Sequence, residues 1–159
     1  LHKAPPTNIA KSHIILNVAI RIPAGAERHV ERARKILNAP VLATSIMPHM
    51  HLLGQEMRVT ATLPDGSKRD LLWVQPYDFS WQTSYRFKEP IYLPKDTRID
   101  VEAIYNNSES NPKNPLNPIR EVRFGEGTDQ EMLIAFLGYI DPPAEAVGAG
   151  ALSSGGGVQ

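Results

Sequence analysis

From Ser12 to Ile140 apolar residues recur mostly at every second position, the period of a strand half exposed to water. In "HIILNVAIRI" the positions Ile14, Leu16, Val18, Ile20 and Ile22 fall on one face, and "PAGAE" ends the run as a turn. "RHVERARKIL" is ambiguous, because its charges suit a helix and its neighbours suit a strand; we read it as a strand. "VLATSIMPH" is the next strand, with Pro48 implying an edge or a bulge, since proline cannot donate to a ladder. In "EMRVTATL" Met57, Val59, Ala61 and Leu63 point one way, and "PDG" then predicts a hairpin turn back into "RDLLWVQP".

The second half reads the same way. "SYRFKEPIYL" is followed by the turn "PKD" and then by "TRIDVEAIY", with Ile99, Val101, Ala103 and Tyr105 alternating. "NNSESNPKNPLNP" is a long loop. "REVRFGE" and "EMLIAFLGYI" close the fold, the latter apolar on both faces and therefore a central strand. About eight antiparallel strands with tight turns predict an all-β, jelly-roll-like sandwich. We assign residues 1–11 to a linker, 12–141 to the sandwich, and 142–159 to a Gly/Ala/Ser-rich tail of flexible composition.

Composition narrows the function classes. The 17 basic and 17 acidic side chains cancel, which gives no electrostatic case for nucleic acid or an anionic membrane. No apolar run approaches the ~18 residues that span a bilayer. The start "LHKAPPTN" lacks an initiator methionine and reads as a linker, so the expectation is a piece of a longer chain whose other domains are its partners. The absence of cysteine excludes disulfides, zinc thiolates and cysteine nucleophiles.

Against this background "SIMPHMHLLGQEM" stands out. His49 and His51 are two residues apart, hence on the same face of a strand, and their imidazoles can converge on one ion. That spacing suits a metal held by neutral imidazoles, copper or zinc first. The plain alternative is two satisfied histidines at a strand end. With no cysteine, a third ligand has to come from His13, His29, a carboxylate or one of four methionines. Met132 draws notice because it opens the last apolar strand and is expected to face inward with Ile134 and Phe136; ordinary core filling is the competing account. A His-His-Met set, soft on one side, selects copper.

Taken in order, "NVAIRIPAGAE", "MPHMHLLGQEM" and "FGEGTDQEMLIAFLGYI" resemble the C-terminal domain of the copper type II, ascorbate-dependent monooxygenases, among them peptidylglycine α-hydroxylating monooxygenase and dopamine β-monooxygenase. "MPHMHLLG" looks most like bacterial members, where such a domain is often part of a larger redox protein. The likeness runs from about Ser12 to Ile140. It implies that His49, His51 and Met132 ligate the oxygen-activating copper, that dioxygen is a co-substrate, and that oxygen is inserted into a C–H bond. It also implies a periplasmic or extracytoplasmic location.

Two departures qualify what the resemblance carries. The family stores a second electron on a three-histidine copper of another domain; His2, His13 and His29 match no motif of that kind, so this chain is expected to bind copper without turning over alone. The peptide-amidating members hold a substrate carboxylate with an Arg, an Asn and a Tyr, and the matching positions here are Met47, Ile134 and Phe136. Those three are expected to line a pocket for a small apolar or aromatic substrate.

The remaining candidates are weaker. Asp78, Asp129 and Glu131 read as solvated loop and strand-end charges rather than acid/base groups. The aromatics of "WVQPYDFSWQTSY" read as core and loop anchors more than as a ligand-stacking platform. "FGEGT" lacks the strand-to-helix context of a phosphate loop. The competing function class is a non-enzymatic copper-binding or structural module that docks other domains of a larger redox protein.

Overall fold

The computed structural model describes residues 9–144. The proposed linker and tail therefore fall almost wholly outside the described residues, except that the first strand begins at Lys11. Ten strands follow in order: β1 (Lys11–Leu16), β2 (Arg21–Ile22), β3 (His29–Ile36), β4 (Val41–His49), β5 (Gly54–Thr62), β6 (Lys68–Val74), β7 (Tyr85–Leu93), β8 (Arg98–Tyr105), β9 (Val122–Arg123) and β10 (Ile134–Ile140). They form two four-stranded antiparallel sheets, β1-β10-β4-β7 and β3-β8-β5-β6, with β2-β9 as a small ribbon. This is the all-β antiparallel sandwich that the period-two pattern predicts. Among the described residues no helix is long and apolar enough to cross a membrane.

The core lies between the two sheets. The first contributes Ile15, Ala135, Leu137, Ile46 and Leu93; the second contributes Ala33, Met57, Val59, Ala61, Ile99, Val101 and Ala103. On β5 and β8 the residues that alternation assigns inward, Met57, Val59 and Ala61, and Ile99, Val101, Ala103 and Tyr105, are buried, and on β8 Ile104 is buried as well. "RHVERARKIL" is a strand, and its charges occupy the outward positions Arg32 and Arg34, opposite Glu102 and Asp100 of β8.

Two expectations need correcting. "HIILNVAIRI" is not one strand. Asn17 takes an Asx turn, its side-chain oxygen accepting from the Ala19 N–H at 2.8 Å while its amide donates to Glu31 at 3.1 Å. The turn shifts the alternation by one, so the core takes Ile15, Ile20 and Ile22 and leaves Ile14, Leu16 and Val18 exposed. At the last strand the inward residues are likewise Leu133, just ahead of β10, and Ala135 and Leu137 within it, whereas Ile134 and Phe136 are half-buried on the outer face of the sheet, so Met132 does not enter the core with them.

β4 lies inside its sheet, yet β7 pairs with it only from Val41 to Ile46. Pro48 therefore sits where one neighbour has already ended, and its missing N–H costs the ladder nothing on that side. The register shift of this pair falls between Ala43 and Ser45, not at the proline.

Candidate metal centre

His49 is the last residue of β4, and its Cα partner on β10 is Ile134. Beyond it the chain leaves the sheet: His51 lies in the turn to β5, and Met132 just ahead of β10. Strand alternation alone does not aim these side chains. Two buried side chains, Tyr77 and Glu131, and the partly buried residues Phe79 and Gln82 do.

Tyr77 holds the residue between the histidines. Its hydroxyl accepts from the Met50 N–H at 3.0 Å and donates to the Met50 carbonyl at 2.9 Å, replacing a strand partner on both counts. Met50 is fully buried and packs onto Gly54; a Cβ at that glycine would meet the Met50 Cβ at 2.8 Å, which is why the turn after the histidines carries glycine there.

Glu131 holds the turn to the last strand. Its carboxylate has no exposed surface and accepts from the backbone N–H of His51 at 2.7 Å, Leu53 at 2.8 Å and Met132 at 3.0 Å. The expectation of a solvated strand-end charge fails here, because the chain folds over the side chain and offers it a ring of N–H donors. Burial raises the Glu131 carboxyl to about 7 even against the backbone donors of His51, Leu53, Met132 and Gly54, which pull it down. Asp78 and Asp129 do behave as surface charges, paired with Lys113 at 3.2 Å and Arg120 at 2.8 Å. Tyr105, itself buried, donates its hydroxyl to the Met132 carbonyl at 2.8 Å.

The segment 77–82 supplies the third support. Phe79 meets the His51 ring edge-on, with centroids 5.7 Å apart, and Gln82 accepts from His49 Nδ1 at 2.6 Å. His51 Nδ1 lies 3.0 Å from the Gln130 carbonyl oxygen. A carbonyl only accepts, so each Nδ1 is the protonated nitrogen and each Nε2 carries a free lone pair. The two rings stand 5.3 Å apart at 81°. Two imidazoles bound to one ion at about 2 Å place their centroids roughly 5–6 Å apart, so the pair is spaced as two ligands of one metal are. Burial also holds the His49 imidazole below the ordinary histidine range, with the Gln82 bond working against it and the neighbouring His51 adding to it. Neutral imidazole is the form that binds a metal.

The candidate donor set is thus the Nε2 atoms of two neighbouring imidazoles. Among the described residues no third His, Asp or Glu joins them. His13 instead stacks on Tyr139 at 4.4 Å and His29 bonds to Glu31 at 3.1 Å, while His2 is outside the described residues. Met132 lies close to the pair in the backbone, because Glu131 accepts from the N–H groups of both His51 and Met132. Met47, Ile134 and Phe136 do come together, Phe136 directly opposite Met47 and Ile134 opposite His49, all half-buried on one sheet face.

Sequence reasoning missed Gln82, Tyr77 and the carbonyl of Gln130 as partners of the pair. Tyr77 and Gln82 stood in view inside an aromatic-rich stretch, but nothing local connects them to residues 49–51.

No family model and no curated protein matches the chain. Among solved structures it is similar to a chain of "Structure of infectious bursal disease virus Gx strain", at 11% identity over 89% of this chain and 42% of that one, TM-score 0.32. A chain of "Structure of infectious bursal disease virus Gt strain" overlaps at 10% identity over 90% and 42%, TM-score 0.25. The chain spans less than half the length of these viral proteins, and overlaps this slight carry no argument about its activity.

Proposed function

We propose that His49, His51 and Met132 form a mononuclear copper site, and that the chain is the catalytic-copper half of an ascorbate-dependent type monooxygenase. The observation that carries the reading is that both histidines have Nδ1 committed to an oxygen acceptor and Nε2 left free, with the rings 5.3 Å apart. Metal-bound histidines are held in this way, the second ring nitrogen donating to a carbonyl or carboxylate. Two imidazoles and a thioether suit copper better than zinc or iron.

When bound, copper would supply the activation of dioxygen needed to hydroxylate a C–H bond. The residues of the chain do the rest. Gln82 and the Gln130 carbonyl fix the imidazoles, and Glu131 fixes the backbones of His51 and Met132. Met47, Ile134 and Phe136 present an apolar surface beside His49 that favours an uncharged, apolar or aromatic substrate and excludes water from its contact area.

The test is a Cu(I) titration of the chain against a competing chelator. We expect one equivalent bound, its loss in His49→Ala and His51→Ala with the sandwich still folded, and a weaker site in Met132→Leu that no longer prefers Cu(I). Uptake of no Cu(I), or an affinity indifferent to all three substitutions, would overturn the reading. Copper- and ascorbate-dependent oxygen consumption, assayed with a protein supplying the second copper, addresses the enzymatic step.

A second reading rests on a separate observation. Ile14 and Leu16 of the edge strand β1 are 49% and 42% exposed, and Val18, just beyond the strand, is 62% exposed. Such an apolar stretch suits a copper-binding or structural module that docks another domain. Copper binding without oxygen consumption would favour it.

A further inference from the structure

Gln82 lies 33 residues from His49 in sequence and bonds to its ring. Both ends of the Gln82 amide are occupied. Its Nε2 donates to the Phe79 carbonyl at 3.0 Å, and its Oε1 meets His49 Nδ1 at 2.6 Å. The Phe79 carbonyl can only accept, so it must face the amide nitrogen, and the amide cannot turn over without setting two oxygens against each other. The amide oxygen therefore faces His49 and requires a proton on Nδ1. A neutral imidazole carries one proton, which leaves Nε2 bare.

We propose that Gln82 is a positioning residue: it selects the Nδ1–H tautomer of His49 and keeps Nε2 free to take a ligand. The inference deepens the copper reading, which supplies the ligand, but the tautomer itself can be read with no metal present.

The surroundings agree with this role. One short segment touches three consecutive residues of the ligand turn: Tyr77 holds the backbone of Met50, Phe79 abuts the ring of His51, and Gln82 orients the ring of His49. His51 needs no such side chain, because a backbone carbonyl, that of Gln130, does the same for it. His49, at the end of β4 where β7 no longer pairs, has no backbone acceptor on its Nδ1 side and depends on the amide. Histidine free in water favours the opposite tautomer, with the proton on Nε2, so loss of the acceptor turns His49 away from metal binding.

The experiment is 15N NMR of the histidine rings in the metal-free chain at a pH where they are neutral. Wild type should show His49 as Nδ1–H. Gln82→Ala should move it toward Nε2–H, and Gln82→Glu, which keeps an oxygen acceptor, should restore Nδ1–H. His51 should be unchanged throughout and reports that the fold is intact. In parallel, Cu(I) affinity should fall about 10–100-fold in Gln82→Ala, the usual loss when such a partner is removed, and recover in Gln82→Glu. An Nδ1–H His49 in Gln82→Ala would overturn the proposal. A wild-type chain that takes up no Cu(I) but shows the expected tautomers would overturn the copper reading and leave this one standing.

Discussion

A carboxylate with no exposed surface is costly to bury unless its lone pairs are filled, and at Glu131 the donors are main-chain N–H groups of His51, Leu53 and Met132. These donors need the carboxylate as much as it needs them, for none of them lies within a named strand. Glu131→Gln keeps the size but offers one oxygen and turns an NH2 group toward N–H donors. At least one buried N–H loses its partner, and we expect a loss of about 1–3 kcal/mol, read as a lower urea midpoint. A midpoint equal to wild type would show that these bonds do not hold the turn. The acidic-Met pair was visible in the sequence, but its burial was not, because strand-end carboxylates are usually solvated.

β3 and β8 carry the charge pattern of the opposite sheet. Arg32 faces Glu102 at 2.7 Å and Arg34 faces Asp100 at 2.8 Å, each pair directly in register, and Arg98 adds a second bond to Asp100 at 2.7 Å. Opposite charges across a ladder support the register. Partial burial pushes the Asp100 carboxyl up, but the bonds from Arg34 and Arg98 outweigh it and leave the group below its ordinary 3.8. A carboxyl depressed in the folded state stabilises the fold above its unfolded value, and that contribution disappears as pH falls through the lower folded value. Asp100→Asn should therefore flatten the acid limb of Tm against pH below about pH 4, and added salt should shrink the difference between the two proteins. Identical acid limbs would refute it.

Across the whole molecule the two outer faces differ in kind. One is a lattice of ion pairs; the other bears Met47, Ile134 and Phe136 beside His49, continued at the edge by Ile14 and Leu16. With formal charge balanced at zero, little net repulsion opposes contact through that apolar face. The double variant Ile14→Thr, Leu16→Thr places β-branched, strand-favouring residues at both positions and removes the apolar row. It should fold with a similar Tm, bind less of a hydrophobic dye and associate less at high concentration by light scattering. Dye binding and scattering unchanged from wild type would show that the row is not an adhesive surface.

The alternation of β5 and β8, the turn at "PDG" and the all-β class were determined by the sequence alone, because each depends on neighbours within a few residues: side chains alternate along a strand, and glycine accepts the positive φ that Gly66 adopts at 84°. The closeness of His49 to His51 in the chain was legible too, but their shared strand face was not, because β4 ends at His49 and His51 lies in the turn beyond it. Tertiary structure decided the rest. The Asn17 turn moved the core from Ile14 to Ile15 because the Asn17 amide found Glu31 on β3. The ring tautomers were decided by Gln82 and the Gln130 carbonyl, 33 and 79 positions away, and the cover over Glu131 by a turn some 80 positions earlier. Hydrogen-bond partners so distant in the chain leave no periodic mark in it, and only the docking of one segment on another specifies them.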